Sequence, residues 1–150
     1  MKKFGIILCI AAVITVIFIF PSDKKRIRKA IGAVEQAVVN EDVQALMDRV
    51  SFNYADDYGG SYLTMKKRAE NLFNSYDDFE VTTEIAGIEI IEEKATVDLR
   101  VSLIASSGSD RGYLIGDAGG HREIKVFFEK SKLNWMITRL EAKQGELDYM

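Results

Sequence analysis

The stretch FEVTTEIAGIEIIEEKATVDLRVSL, residues 79–103, decides the fold. Apolar or threonine side chains alternate with polar ones over 79–85, and the same alternation returns over 95–103. A period of two is typical of strands that bury one face. Residues 92–94, Glu-Glu-Lys, predict a turn between them. The sequence therefore predicts two long neighbouring strands at the centre of a sheet.

Within the first strand the alternation changes phase at Ala86-Gly87, so that Ile88 and Ile90 carry the apolar pattern onward. A one-residue change of phase beside a glycine is typical of a β-bulge, which bends a strand. We therefore expect a bent strand whose two halves each turn their apolar side inward.

Two further strands follow. Ile124, Val126 and Phe128 alternate with polar residues, and a short connection at Ser131-Lys132 leads to a strand over 135–140. Asp98 and Glu123 are out of phase with the apolar positions and are predicted to face solvent or the convex side. The glycine-bearing link 106–120 is long for a hairpin.

At the centre of that link, residues 113–115 read Tyr-Leu-Ile and are apolar for a solvent loop. They could cover a cavity mouth, meet a partner or touch a bilayer. A plain mobile hairpin is the other interpretation.

Upstream of residue 79, apolar side chains recur at steps of three and four residues, which is typical of helices. One apolar stripe comprises Ile27, Ala30, Ile31, Val34 and Val38, with Arg28, Lys29, Glu35 and Gln36 predicted to face outward. A shorter helix follows residues 40–42 and turns Val43, Leu46, Met47 and Val50 to one face, and a third runs over 64–76. The fold class is thus α+β: three N-terminal helices packed on a curved, four-stranded antiparallel sheet.

An apolar run over residues 4–20 precedes this domain, flanked by Lys2, Lys3 and Pro21. As a helix it would be about 25 Å long, at the short end of what spans a bilayer. The predicted organisation is an anchor over 1–21, a domain over 22–141 and a flexible tail over 142–150. A cleaved signal peptide is the alternative, although small residues before a cleavage site are missing.

Charge is unevenly distributed. Five basic residues lie just after the apolar run, in 24–29, whereas 13 basic and 22 acidic residues follow residue 29 and give a net charge of −9. A negative body argues against nucleic-acid binding. The basic collar either contacts anionic headgroups or only stops transfer and solvates the first helix.

These basic residues would by count place the domain in the cytoplasm. The N-terminal position of the run resembles an export signal, and we favour the extracytoplasmic side. Cys9 is the only cysteine and lies within the apolar run, so no disulfide forms within the chain.

The order of elements, with four phrases in it, resembles the nuclear-transport-factor-2-like (cystatin-like) superfamily over about residues 23–141. The phrases are Asn40-Glu41-Asp42-x-x-x-Leu46-Met47, Ser51-x-x-Tyr54-x-Asp56-Asp57-x-Gly59, Ala95-Thr96-Val97 and Trp135-x-Ile137-Thr138-Arg139. The resemblance implies a cone whose mouth can hold a small molecule. Members include isomerases, cyclases, dehydratases, binding subunits and membrane-anchored bacterial proteins without assigned activity, so the fold does not fix the function.

Candidate site residues are few. Tyr54, Asp56, Asp57 and Tyr58 form a polar cluster that could supply an acid or base, or simply satisfy the amides of the turn at Gly59-Gly60. His121, the only histidine, is a candidate acid or base, or an exposed residue at a strand edge.

Arg139 shares the phase of Trp135 and could point into the cone beside the indole to bind an anionic group. Equally, it could stack on an aromatic ring at the surface or pair with an acid. Trp135, Arg139 and Tyr58 are the candidate ligand contacts, and Tyr54, Asp57 and His121 the candidate catalytic groups.

The sequence favours a membrane-tethered binding or interaction module that is not catalytic, with a small apolar or anionic ligand. An isomerase, cyclase or dehydratase is the alternative, and a homodimer through Phe127 on the outer sheet face is a third hypothesis. No metal site or cofactor is expected.

Overall fold

The computed structural model describes residues 22–142. The predicted anchor over residues 1–21 and residues 143–150 of the predicted tail lie outside this range. Ala142, the first residue of that tail, is the last residue of a strand. Between residues 22 and 142, none of the helices combines the length and apolar character needed to cross a membrane.

Three helices come first: α1 (Asp23–Val39), α2 (Val43–Met47) and α3 (Tyr62–Ser75). Each begins at a short polar side chain that accepts a hydrogen bond from a free amide of the first turn. The caps are Ser22, Asp42 and Ser61. α3 begins two residues before the predicted start at Thr64, because Ser61 caps the helix at its N-terminus.

Five strands follow: β1 (Asp77–Ile91), β2 (Lys94–Ser107), β3 (Asp110–Ile115), β4 (Arg122–Ser131) and β5 (Asn134–Ala142). All pairings are antiparallel, and the order is β1-β2-β4-β5 with β3 beside β2. The predicted bulge is confirmed, since Ile85 pairs with Leu99 while Gly87 pairs with Asp98, which leaves Ala86 as the extra residue.

The prediction of four strands is wrong, because the link 106–120 contains β3. β4 pairs with β2 only as far as Val101, so the rest of that edge of β2 needs another partner. β3 pairs there with residues 103–107 of β2. Backbone groups of a strand that would otherwise be unpaired are thereby satisfied, and β2 and β3 form an antiparallel β-hairpin.

The helices pack on one face of the sheet, where the alternating residues of the strands form the core. The main cluster contains Ile27, Ala30, Ile31, Met47, Val50, Tyr54, Ala95, Val97, Leu99, Val126, Phe128, Trp135 and Ile137. A smaller cluster surrounds Phe79, Leu103 and Ala105. Asp98 and Glu123 are exposed, as their phase predicts.

The segment after α2 follows the edge of β5. The amide of Ser51 donates to the carbonyl of Ile137 at 2.8 Å, and the amide of Ala55 donates to the carbonyl of Thr138 at 3.1 Å. These bonds cover an otherwise open sheet edge. They also bring Tyr54 to the wall of the interior.

Candidate functional site

A cavity of about 200 Å³ lies between the helices and the sheet. All three helices and all five strands contribute to its wall, and the surface that faces the cavity is almost entirely carbon. Representative lining residues are Ile31, Leu46, Met65, Val101, Ile124 and Leu140. The sequence does not decide whether the interior is filled or hollow. The structure shows that it is hollow and apolar.

Three lining residues carry a side-chain oxygen: Glu35, Thr83 and Tyr54. Glu35 is the unexpected one, because the sequence pattern places it toward water. It is half-buried at the cavity. Since Glu35 lies four residues after the buried Ile31, the two share one face of α1, and that spacing is the signal that could have identified it.

Ile115, at the end of β3, also lines the cavity. Leu114 and Ile115 pack against the smaller apolar cluster, whereas Tyr113 is 47% exposed. Ile115 therefore forms part of the cavity wall, whereas a contact of this segment with a partner or a bilayer stays a prediction.

Tyr54 and Asp56 form a pair at the edge of the cavity. Tyr54 is only 3% exposed, and its hydroxyl donates to Oδ2 of Asp56 at 3.0 Å. The other oxygen, Oδ1, accepts from the amides of Tyr58 at 3.0 Å and Gly60 at 2.7 Å. Asp56 therefore satisfies the turn amides, which confirms the structural interpretation of this cluster.

The surroundings of this pair shift the pKa values of both side chains. Burial alone would raise the pKa of Asp56, but the Gly60 amide, the Tyr54 hydroxyl, the Tyr58 amide and the Arg68 guanidinium outweigh burial and hold this pKa below its usual value. Burial, together with the hydrogen bond to Asp56, raises the pKa of Tyr54. Asp56 is thus an ionised acceptor and Tyr54 a neutral donor.

The remaining candidates of the loop and of β4 do not face the cavity. Asp57 is exposed, and the side chain of Tyr58 is 56% exposed although its amide bonds to Asp56. His121 is exposed just before β4, in agreement with the strand-edge interpretation. The structure does not bring these residues to one place, and their catalytic roles stay predictions.

Trp135 lies in the core and is 1% exposed. Its Nε1 donates to Oδ1 of Asp23 at 3.2 Å, and Nζ of Lys130 lies 3.0 Å from the same carboxylate. The Lys130 hydrogen bond, supported by the indole, holds the pKa of Asp23 below its usual value despite partial desolvation. Trp135 is not part of the cavity wall.

Arg139 lies on the outer face. In β5, Arg139 is opposite Phe127 while Ile137 is opposite Phe128, so Thr138 is an extra residue that reverses the alternation. The guanidinium of Arg139 stacks 4.3 Å from the Phe127 ring centre and pairs with Glu141. Of its two predicted placements, the structure therefore shows the surface one, and the proposed position beside the indole is wrong.

Comparison with protein families gives no match to a family model, and no curated protein matches the chain. Solved structures do match. A provisionally named scytalone dehydratase from Novosphingobium aromaticivorans superposes with a TM-score of 0.69 at 15% identity, over 80% of this chain and 82% of that one.

Three more structures match the chain. A provisionally named dehydratase of the nuclear-transport-factor-2-like family from Streptomyces avermitilis has a TM-score of 0.66 at 9% identity, over 79% and 92% of the two chains. A Nostoc punctiforme protein of unknown function with a cystatin-like fold has a TM-score of 0.63 at 14% identity, over 80% and 89%. A Bdellovibrio bacteriovorus protein also matches (TM-score 0.61, 16% identity), with 79% of this chain spanning only 39% of it. At these identities the likeness shows the fold, and it confirms the predicted nuclear-transport-factor-2-like fold.

Proposed function

We propose, from the nuclear-transport-factor-2-like fold and the cavity it encloses, that this domain is a membrane-tethered module that binds a small apolar molecule without transforming it. The observation that carries the proposal is the cavity of about 200 Å³ whose surface is almost entirely carbon. An apolar cavity of roughly 150 Å³ in another protein stays dry and takes up benzene. The space here therefore suits an aromatic ring or a short hydrocarbon.

The chemistry of the wall supports binding over catalysis. An isomerase or dehydratase needs a base that reaches the substrate inside the pocket. Among residues 22–142, Glu35 is the only carboxylate residue of the wall, and the near absence of oxygen from the cavity surface means that it contributes chiefly its methylene groups. The Tyr54 hydroxyl already donates to Asp56.

One observation favours an enzyme as the second candidate. Tyr54 lines the cavity and its neutral hydroxyl donates to the ionised Asp56, and a hydroxyl that turns its proton from such a partner to a substrate can stabilise a developing oxyanion. For this candidate, Tyr54→Phe would abolish turnover and leave binding of an apolar molecule intact. A binding module has no turnover to lose and would keep its binding, so turnover in the wild-type chain that disappears in Tyr54→Phe is the result that would identify an enzyme.

Nuclear magnetic resonance of the methyl groups tests the binding proposal. The full chain in lipid nanodiscs is titrated with benzene, and we expect shifts at Val101, Ile124 and Leu140, which line the cavity. A cavity-filling variant, Val101→Phe, should abolish these shifts. The matched control is Val39→Phe, since Val39 is 42% exposed and outside the cavity wall.

The two variants separate specific binding from partition into lipid. Benzene that only enters the bilayer would leave the lining methyl groups unshifted in the wild-type chain, which would refute the proposal. Equal shifts in the Val101→Phe and wild-type chains would also refute it.

A further inference from the structure

The start of α1 and the turn between β4 and β5 form one surface. Oδ2 of Asp23 accepts from Nζ of Lys130 at 3.0 Å, and Nη1 of Arg26 donates to the carbonyl of Leu133 at 3.0 Å. α1 begins three residues after the apolar run over 4–20 that is predicted to span a bilayer. If residues 4–20 lie in the bilayer, α1 begins close to the membrane exit in sequence, and the β4–β5 turn contacts the first turns of this helix through Arg26.

A groove of about 280 Å³ opens on this surface. It is lined by Arg26 and Lys29 of α1, by Arg49, which follows α2 in the sequence, and by Leu133 of the β4–β5 turn. Three cationic side chains thus surround one depression. We call these four residues the basic groove.

Two of the three cations are available to a ligand. Among residues 22–142, neither Lys29 nor Arg49 forms an ion pair with a carboxylate. The nearby carboxylate of Asp23 is already bound by Lys130. The groove therefore offers positive charge on a domain whose remaining surface is mostly negative.

Leu133 adds an apolar element at the same place. Its side chain is 61% exposed at the tip of the β4–β5 turn, next to Lys132, whose φ is +57°. A large exposed aliphatic side chain beside cations suits the boundary between headgroups and acyl chains. Neither the positive charge nor the exposed leucine alone would suggest a lipid as the partner, but both lie at one groove.

We propose that the basic groove binds the phosphate headgroup of an anionic phospholipid of the membrane that holds residues 4–20, with Leu133 entering the acyl region. Lys29 and Arg49 supply charge to the phosphate, and the guanidinium of Arg49 can bind two phosphate oxygens at once. The docking fixes which end of the domain faces the bilayer. It rests on the proposed tether but not on the ligand cavity.

Charge complementarity selects lipid as the occupant. Basic residues close to an anionic membrane contribute about a fivefold preference each, the equivalent of ~1 kcal/mol. A chain with a net charge of −9 after residue 29 would be repelled by nucleic acid over most of its surface. The tether also presents lipid to the groove at high local concentration.

A fluorescent label at position 133 tests the docking in the full chain. Cys9→Ser removes the only cysteine, and Leu133→Cys then carries an environment-sensitive dye. The chain is placed in vesicles of phosphatidylcholine alone or of phosphatidylcholine mixed with phosphatidylglycerol. We expect a blue-shifted emission in the mixed vesicles only, and about a fivefold lower docked-to-undocked ratio for Lys29→Gln or Arg49→Gln.

Two controls accompany it. Lys67→Gln removes the same charge from an exposed position of α3 outside the groove, and it should leave the emission unchanged. A label on Tyr113→Cys, in β3 beside the other end of β2, should stay in water in both kinds of vesicle.

The outcomes separate the tether from the docking. A chain that does not float with either vesicle would overturn the tether and, with it, the docking. A chain that floats but shows the same emission at position 133 in both vesicles would overturn the docking alone, as would an equal effect of Lys67→Gln and Lys29→Gln.

Discussion

The indole of Trp135 donates to the carboxylate of Asp23 at 3.2 Å across 112 positions of sequence, joining the first turn of α1 to the second residue of β5. Lys130 of β4 binds the same carboxylate. One acidic side chain thus links the first helix to the last two strands.

Asp23→Ala should lower the free energy of unfolding by about 1–3 kcal/mol, because it leaves the buried indole N–H and the ammonium of Lys130 without their acceptor. Urea unfolding followed by circular dichroism measures the change. Asp57→Ala is the control, since Asp57 is exposed, and it should stay within about 0.5 kcal/mol of wild type. Equal losses in both variants would contradict the proposed link.

Stability should decrease in acid. Asp23 and Asp56 have lowered pKa values in the folded state, so both bind protons less readily there than in the unfolded chain. Their contribution is complete above the unfolded-state value of about 3.9 and is lost as the pH falls through the lower folded-state values. Unfolding in urea at a series of pH values should show a smaller acid loss for Asp56→Asn than for wild type. An unchanged acid loss in that variant would argue against the Asp56 network.

Gly60→Ala should destabilise the loop strongly, because a Cβ at this position would overlap the carboxylate of Asp56. The expected cost is about 1–3 kcal/mol, the usual range for overpacking. Gly112→Ala is the matched control, since nothing lies within 4 Å of its added Cβ. Thermal unfolding of the two variants compares them, and similar melting temperatures would contradict the close approach.

Phe128→Ala should be the most disruptive of these changes. Phe128 is 2% exposed and lines the cavity, so its removal enlarges an existing void at a cost of about 3–5 kcal/mol. Phe52→Ala makes the same truncation at a side chain that is 82% exposed. The difference between the two midpoints in urea measures burial alone, and a difference near zero would refute the core assignment.

The alternation of β1, β2 and β4 could be predicted from the sequence because side-chain phase directly reports which face is buried. The bulge at Ala86 was also predictable, since Gly87 marks it. The bulge at Thr138 has no glycine beside it, and only the pairing of Phe127 with Arg139 reveals it. One unmarked extra residue therefore places Arg139 on the outer face, which is one of its two predicted placements.

Other features depend on contacts that no local pattern records. β3 has four exposed residues followed by two half-buried ones, so it lacks the alternation that identifies a strand. Its partner is determined by the length of β2. The sequence predicts Trp135 as a ligand contact, and this role stays a prediction. The acceptor of its indole, Asp23, is distant in sequence and could not be inferred from spacing.

The double attachment of Asp23 has a mechanical consequence. Traction on the chain at Ser22 would load the bonds to Lys130 and Trp135 before α1 could unwind, because both bonds are made at the first residue of that helix. A single carboxylate thereby makes the entry point of the chain a stiff joint instead of a hinge.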